Sequence, residues 1–180
     1  MKIKKLLATA VFTTALLLLP NTANAQFVNG GNYLGPSIGF SFLGSTPEFG
    51  LNYERGVDLQ NIGTVGIGGL FRYWGYSESY FDGKWSYTNI LIGVQGNYHF
   101  KIPESKFDPY IGIVLAYDVG STSWSGPNNF FNGSVSAGGF WAAIQAGGRY
   151  WISPTIALAA RIGVGSLSYG GLDVGVDFKF

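Results

Sequence analysis

The sequence predicts an all-β fold, an eight-stranded antiparallel transmembrane up-and-down β-barrel, and three observations predict it. Apolar residues fall on every second position along most of the chain. Charged residues make up only 12% of it, against about a quarter in an ordinary soluble domain. Beyond the N-terminus, no apolar run is long enough to cross a bilayer as a helix, which takes about 20 residues.

The first element is a leader. Lys2, Lys4 and Lys5 run into an apolar stretch from Leu6 to Leu19, followed by Pro20 and the small-residue site Ala23-Asn24-Ala25. This is the layout of a secretory signal peptide cleaved after Ala25. The apolar run is short for a membrane anchor and holds Thr9, Thr13 and Thr14. Residues 1–25 are therefore expected to be removed, leaving 26–180 as one exported domain. Loss of the three lysines takes the formal net charge from +1 to −2.

The remaining elements read in steps of two, the period at which side chains alternate across a strand. In chain order the apolar faces are Leu34 to Phe42, Phe49 to Tyr53, Val65 to Tyr73, Ile90 to Phe100, Ile111 to Tyr117, Phe140 to Tyr150, Ile156 to Val164 and Leu172 to Phe180. A soluble lipocalin-type barrel would turn these faces inward and need solvated charge outside. The opposite faces hold mostly Gly, Ser, Ala and Asn with about one charge per strand, which suits a crowded lumen instead. Aromatics gather near strand ends, with Phe42, Trp74, Trp85, Tyr87, Tyr117 and Tyr169 at one and Tyr33, Tyr53, Tyr98, Phe100, Tyr110, Tyr150 and Phe178 at the other. These are expected to form the two interfacial girdles of a membrane barrel.

Connections alternate in the same sense, except that the first and last external loops, around Gly44 to Pro47 and Ser166 to Gly171, are short. Turns near Asp58 to Gly63, Lys101 to Asp108 and Ile152 to Pro154 are tight and expected on the periplasmic side, with both termini. Tyr76 to Lys84 and Gly120 to Val135 are long, polar and Gly-rich, and are expected as external loops. Closure satisfies every backbone group in hydrocarbon, which an open sheet could not do.

With its leader, its eight alternating segments, the opening Pro109-Tyr110-Ile111-Gly112 and the ending Gly175-Val176-Asp177-Phe178-Lys179-Phe180, the chain resembles the small outer-membrane β-barrel proteins of Gram-negative bacteria, the OmpX and OmpA-barrel type. The resemblance implies an outer-membrane location among lipid and lipopolysaccharide. It also implies assembly by the barrel-assembly machinery, which reads a terminal Phe with alternating apolar residues before it, here Val176, Phe178 and Phe180.

Composition excludes several functions. Cysteine is absent, which removes disulfides, thiolate metal sites and a Cys nucleophile. No basic patch suggests a nucleic-acid partner, and Gly66 to Gly69 lacks the strand-to-helix setting of a nucleotide loop. No metal or cofactor is expected, and the barrel is expected to be a monomer. His99 is the single histidine, so a His cluster is impossible and any His-based nucleophile pair must use it. It falls at the end of its strand beside a turn, near Gln95 and Asn97, and a structural role held by Arg or Asp side chains is expected.

Two sets of residues remain as candidates. Glu54, Arg72, Asp118, Arg149, Arg161, Asp173, Asp177 and Lys179 share the polar phase and are expected to pair across the lumen and plug it, since eight strands leave room only for side chains. The alternative is a narrow polar path in which the same charges line a channel. Tyr80, Phe81, Trp124, Phe130 and Phe131 lie in the two long loops, as external contacts or as strands continued above the membrane. Arg55 falls on the lipid phase, where it can snorkel to headgroups. The expected role is non-enzymatic, in envelope integrity or surface contact. A small-solute channel and a lipid-modifying enzyme built on His99 are the alternatives.

Overall fold

In the computed structural model the described residues are 27–42, 45–80, 82–103, 105–126, 134–166 and 170–180, with the side chains of Tyr80, Ser134, Val135 and Ala137 excluded. They form eight strands: β1 (Asn32–Ser41), β2 (Thr46–Leu59), β3 (Gly63–Tyr80), β4 (Gly83–His99), β5 (Phe107–Ser125), β6 (Ser134–Trp151), β7 (Ile156–Gly165) and β8 (Gly170–Lys179). Each strand pairs antiparallel with the next, and β1 pairs with β8, so the sheet closes. The seam runs from Tyr33 opposite Lys179 to Ser41 opposite Gly171 and is interrupted at Gly35 and Pro36. Pro36 has no N–H to offer the ladder, which accounts for the break.

The alternation sets the wall inside out. Ile38, Phe49, Ile92, Ile113, Phe140, Ile144, Val174 and their neighbours point outward and are exposed, while Glu54, Asn97, Arg149 and Asp177 are buried within. An exterior of exposed Ile, Phe, Val and Leu over a buried charged interior belongs in hydrocarbon, where it meets no water. Arg55 points outward near the end that carries both termini, here called the base, and reaches Asn32 Oδ1 at 3.5 Å.

Strand length divides the wall. β1, β7 and β8 have 10 residues each, close to the 9–11 or so that a tilted strand needs to span a bilayer. β3 to β6 have 18, 17, 19 and 18 and rise beyond it as a four-stranded sheet. Most of the expected external loops are thus strand. β3 and β4 stay paired to Tyr80 and Gly83, and β5 and β6 to Ser123 and Ser134.

The expected girdles need correction. Tyr33, Trp74 and Tyr110 face the lumen and are at most 2% exposed, because their positions are in step with the polar residues and the narrow interior must be filled. Tyr87 and Trp85 share the inward phase above the barrel. Phe42, Tyr53, Phe100, Tyr117, Tyr150 and Phe178 do lie outside and exposed, while Tyr169 falls outside the described residues.

Candidate functional site: the charged lumen

A continuous charge network fills the lower lumen. Arg161 on β7 and Asp173 on β8 are direct register partners, and Arg161 Nη1 donates to Asp173 Oδ1 at 3.1 Å. The other Asp173 oxygen accepts from Arg72 Nη2 at 3.0 Å, and Arg72 Nε pairs with Glu48 at 3.1 Å. Toward the base, Asp177 is shared between Arg161 Nη2 and Arg149 Nε. Arg149 Nη2 pairs with Glu54 Oε2, and its Nη1 lies 3.5 Å from Asp108 Oδ2.

His99 closes the chain. Its Nε2 lies 2.9 Å from Glu54 Oε1 and its Nδ1 lies 2.8 Å from Asp108 Oδ1. An ionised carboxylate only accepts hydrogen bonds, so with Glu54 and Asp108 both ionised the two contacts are hydrogen bonds when the ring carries a proton on each nitrogen, as the imidazolium. The network then holds five carboxylates against three guanidinium groups and one imidazolium. Glu54, Asp108, Asp173 and Asp177 each bridge two cations. That arrangement answers the desolvation cost which makes an isolated buried pair unfavourable.

Small residues make the room. A Cβ at Gly35 would overlap the Asp177 carboxylate and stand 3.1 Å from Arg161 Nη2, and one at Gly66 would overlap the Glu54 carboxylate. Amides extend the network sideways: Asn97 Nδ2 donates to Glu54 Oε1 at 2.9 Å, and Gln145 Nε2 donates to Gln95 Oε1 at 2.9 Å and Asn97 Oδ1 at 2.6 Å. Above lies an apolar cluster of Leu70, Trp74, Leu91, Val114, Ala116, Trp141 and Ala143. Between the two, a cavity of about 30 Å³ is lined by Glu48, Arg72, Leu91, Trp141, Gln145 and Asp173 among others. That is room for one or two waters and no solute.

Six of the eight expected lumen charges, Glu54, Arg72, Arg149, Arg161, Asp173 and Asp177, meet in this network. Asp118 and Lys179 do not. Asp118 is inward but half-buried, and its Oδ1 has no hydrogen-bond partner among the described residues. Lys179 is inward on the last turn of β8, half-exposed at the rim and outside the ion pairs. Two members were missed from the sequence: Glu48, one residue before the segment assigned to the second strand, and Asp108, assigned to a turn; His99, expected in a structural role held by Arg or Asp side chains, is held by Asp108 and by Glu54.

The contact candidates divide as well. Trp124 is a strand residue of β5, its ring centroid 5.0 Å from that of Trp85 on β4, and Tyr76 stacks on Tyr87 at 4.6 Å. The Tyr80 side chain, Phe81, Phe130 and Phe131 lie outside the described residues. Val176, Phe178 and Phe180 point outward along β8 and beyond it, and Phe180 exchanges backbone hydrogen bonds of 2.9 and 3.2 Å with Asn32.

A closed eight-strand wall, greasy outside and charged within, defines the class: the fold is that of the small outer-membrane β-barrels. Solved structures place it there directly. The N-terminal β-barrel domain of Pseudomonas aeruginosa OprF superposes with a TM-score of 0.60 at 16% identity, over 84% of this chain and 98% of that one. Ail, the attachment invasion locus protein of Yersinia pestis, crystallised with the heparin analogue sucrose octasulfate, gives 0.57 at 17% identity over 85% and 100%. Neisserial surface protein A gives 0.54 at 18% identity over 83% and 95%. A de novo designed transmembrane barrel gives 0.57 at 14% identity over 85% and 98%, so the likeness speaks for architecture and leaves the function to be argued from the site. No family model matches the chain, and no curated protein does.

Proposed function

We propose that the protein is a non-enzymatic outer-membrane barrel whose lumen is plugged and whose role lies in surface contact through the raised sheet of β3 to β6. One observation carries the reading: four neighbouring strands of 17 to 19 residues stand beside three of 10, so polypeptide has been added on one side beyond what crossing the membrane needs. The raised part presents Ser77, Ser79, Ser86, Ser121, Ser123 and Ser125 on its outward phase, where the membrane-level wall presents Ile, Phe and Val. That change of chemistry fits water outside the bilayer. Ail, of the same fold, is a named attachment protein, which supports contact as a use of this architecture.

On this reading the leader is cleaved after Ala25, the barrel-assembly machinery takes the Val176, Phe178 and Phe180 ending, and the barrel works as a monomer in lipid and lipopolysaccharide without a cofactor. The enzyme alternative fits less well: His99 lies at the base with both nitrogens bonded to carboxylates, away from the external rim where a lipid-modifying pair would act. The test is to replace 76–87 and 120–137 with tight turns and compare adhesion of outer-membrane vesicles carrying either protein. The expected result is lost adhesion with a barrel that still migrates as folded on unboiled gels. Unchanged adhesion would overturn the reading.

A further inference from the structure

The base of the lumen is covered by residues that belong to no strand. The chain turns at Asn29 and Gly30, where Gly30 has a φ of +77°. Gly30 N donates to Gly56 O at 2.8 Å, Gly56 N donates to Gly31 O at 2.9 Å, and Asp58 N donates to Asn29 Oδ1 at 3.2 Å. Val28 N donates to Tyr33 Oη at 2.9 Å. This strap folds Phe27 back under the lumen, where its ring lies flat on His99 with centroids 3.6 Å apart and planes 5° apart. The same ring stacks on Tyr33 at 4.5 Å and lies 5.3 Å from the Arg149 guanidinium carbon.

The hold is therefore one aromatic ring against two cations plus a few peripheral hydrogen bonds. Beside the strap, an open cavity of about 250 Å³ lined by Val28, Asn29, Asp58, Thr64 and Lys101 among others separates it from the neighbouring turns. On that side the hydrogen bond from Asp58 N to Asn29 Oδ1 is its tie to the wall. Beneath it, Tyr33, Trp151 and Ala157 form a closed cluster with Phe27, and Trp151 and Ala157 have no exposure at all.

We propose that residues 27–31 are a hinged latch over the base of the lumen, with Phe27 as the bolt and the His99 imidazolium as the catch, and that its release opens the lower charge network to water from that side. The attraction is electrostatic, since a ring face draws a cation far more strongly than a neutral imidazole. Loss of the His99 proton loosens the latch, so protection of the base falls as pH rises. His99 bonds to Glu54 of β2 and Asp108 of β5 and lies 5.0 Å from the Tyr110 ring of β5, Arg149 of β6 and Asp177 of β8 act on it through those carboxylates, and Asp58 and Lys101 line the same cavity.

The chain has no cysteine, so Ala157→Cys places a single thiol under the strap. The full exported chain is refolded in lipid vesicles, its fold checked by unboiled gel mobility, and its rate of labelling by a small thiol reagent followed from neutral to alkaline pH. The same is done with Phe27→Ala and Phe27→Leu added. At neutral pH the expected order of labelling is Phe27→Ala fastest, Phe27→Leu between, and the Phe27 parent slowest by several-fold. Relative to Phe27→Ala, the parent's protection should fade as pH rises. Equal rates in three folded barrels would overturn the proposal, because the wall and not the strap would then shield position 157. A pH response in Phe27→Leu matching the parent's would overturn His99 as the catch. Should Ala157→Cys fail to fold, amide exchange at Gly56 in the unmodified chain and in Phe27→Ala decides the matter: faster exchange in the variant supports the latch, and equal exchange contradicts it.

Discussion

The lower and upper halves of the lumen fill the same narrow space with opposite chemistry. Below, Arg149, Arg161, Arg72 and their carboxylates interlock by charge. Above, Leu91, Val114, Trp74 and Trp141 pack as an apolar cluster. The difference teaches what each half tolerates. An apolar filling answers to volume, so a swap that keeps size is cheap. A charge network answers to count, and removing one member strands the others in a medium that cannot solvate them.

The comparison is broken most directly at Arg149, which faces Glu54, Asp108 and Asp177 at once. Arg149→Met keeps much of the volume and should still cost about 3–5 kcal/mol, the range for breaking a buried pair, read by urea unfolding in lipid vesicles. A loss below about 1 kcal/mol would mean that water enters the base and screens these groups. Next comes Leu91 in the upper half, 1% exposed. Leu91→Ala should cost about 2–5 kcal/mol and Leu91→Met less than about 1.5, so volume alone should rank the two.

Arg161 sharpens the contrast, because it meets two carboxylates where Arg149 meets three, and without it Asp173 and Asp177 keep separate guanidinium partners in Arg72 and Arg149, whereas without Arg149 both Glu54 and Asp108 fall back on His99. Arg161→Ala should loosen the barrel less than Arg149→Met does and leave conductance silent. A double-mutant cycle of Arg161→Ala with Asp173→Ala should show coupling of about 0.5–3 kcal/mol, the range for contacting residues. The smallest effect belongs to Trp124, whose ring pairs with Trp85 above the membrane. Trp124→Ala should remove the roughly 0.5–1.5 kcal/mol of an aromatic pair, with the unfolding midpoint of the barrel scarcely moved.

How much of this was legible follows from what period two can carry. Alternation sorted inward from outward for Arg72, Arg161, Asp173 and Asp177, because those residues sit well inside long periodic runs. It failed at strand ends. Glu48 stands one residue before the second alternating segment and Asp108 at the end of an expected turn, although register puts Asp108 directly opposite Arg149. Trp74, Tyr33 and Tyr110 have aromatic chemistry that points to the interfaces and a phase that points to the lumen, and phase decides. The extension of β3 to β6 was hidden by Ser and Gly, whose small polar side chains blur the contrast on which the reading depends. Phe27 gave no periodic signal at all, since its place depends on a turn at Gly30 and on a histidine 72 positions further along.

The central claim is that charge pairing closes the lumen, and single-channel recording tests it most directly. The exported chain, refolded in a planar bilayer with folding confirmed by unboiled gel mobility, should show no discrete openings. Reproducible openings from a folded barrel would contradict the account and turn Arg72, Arg149 and Arg161 into the lining of a path.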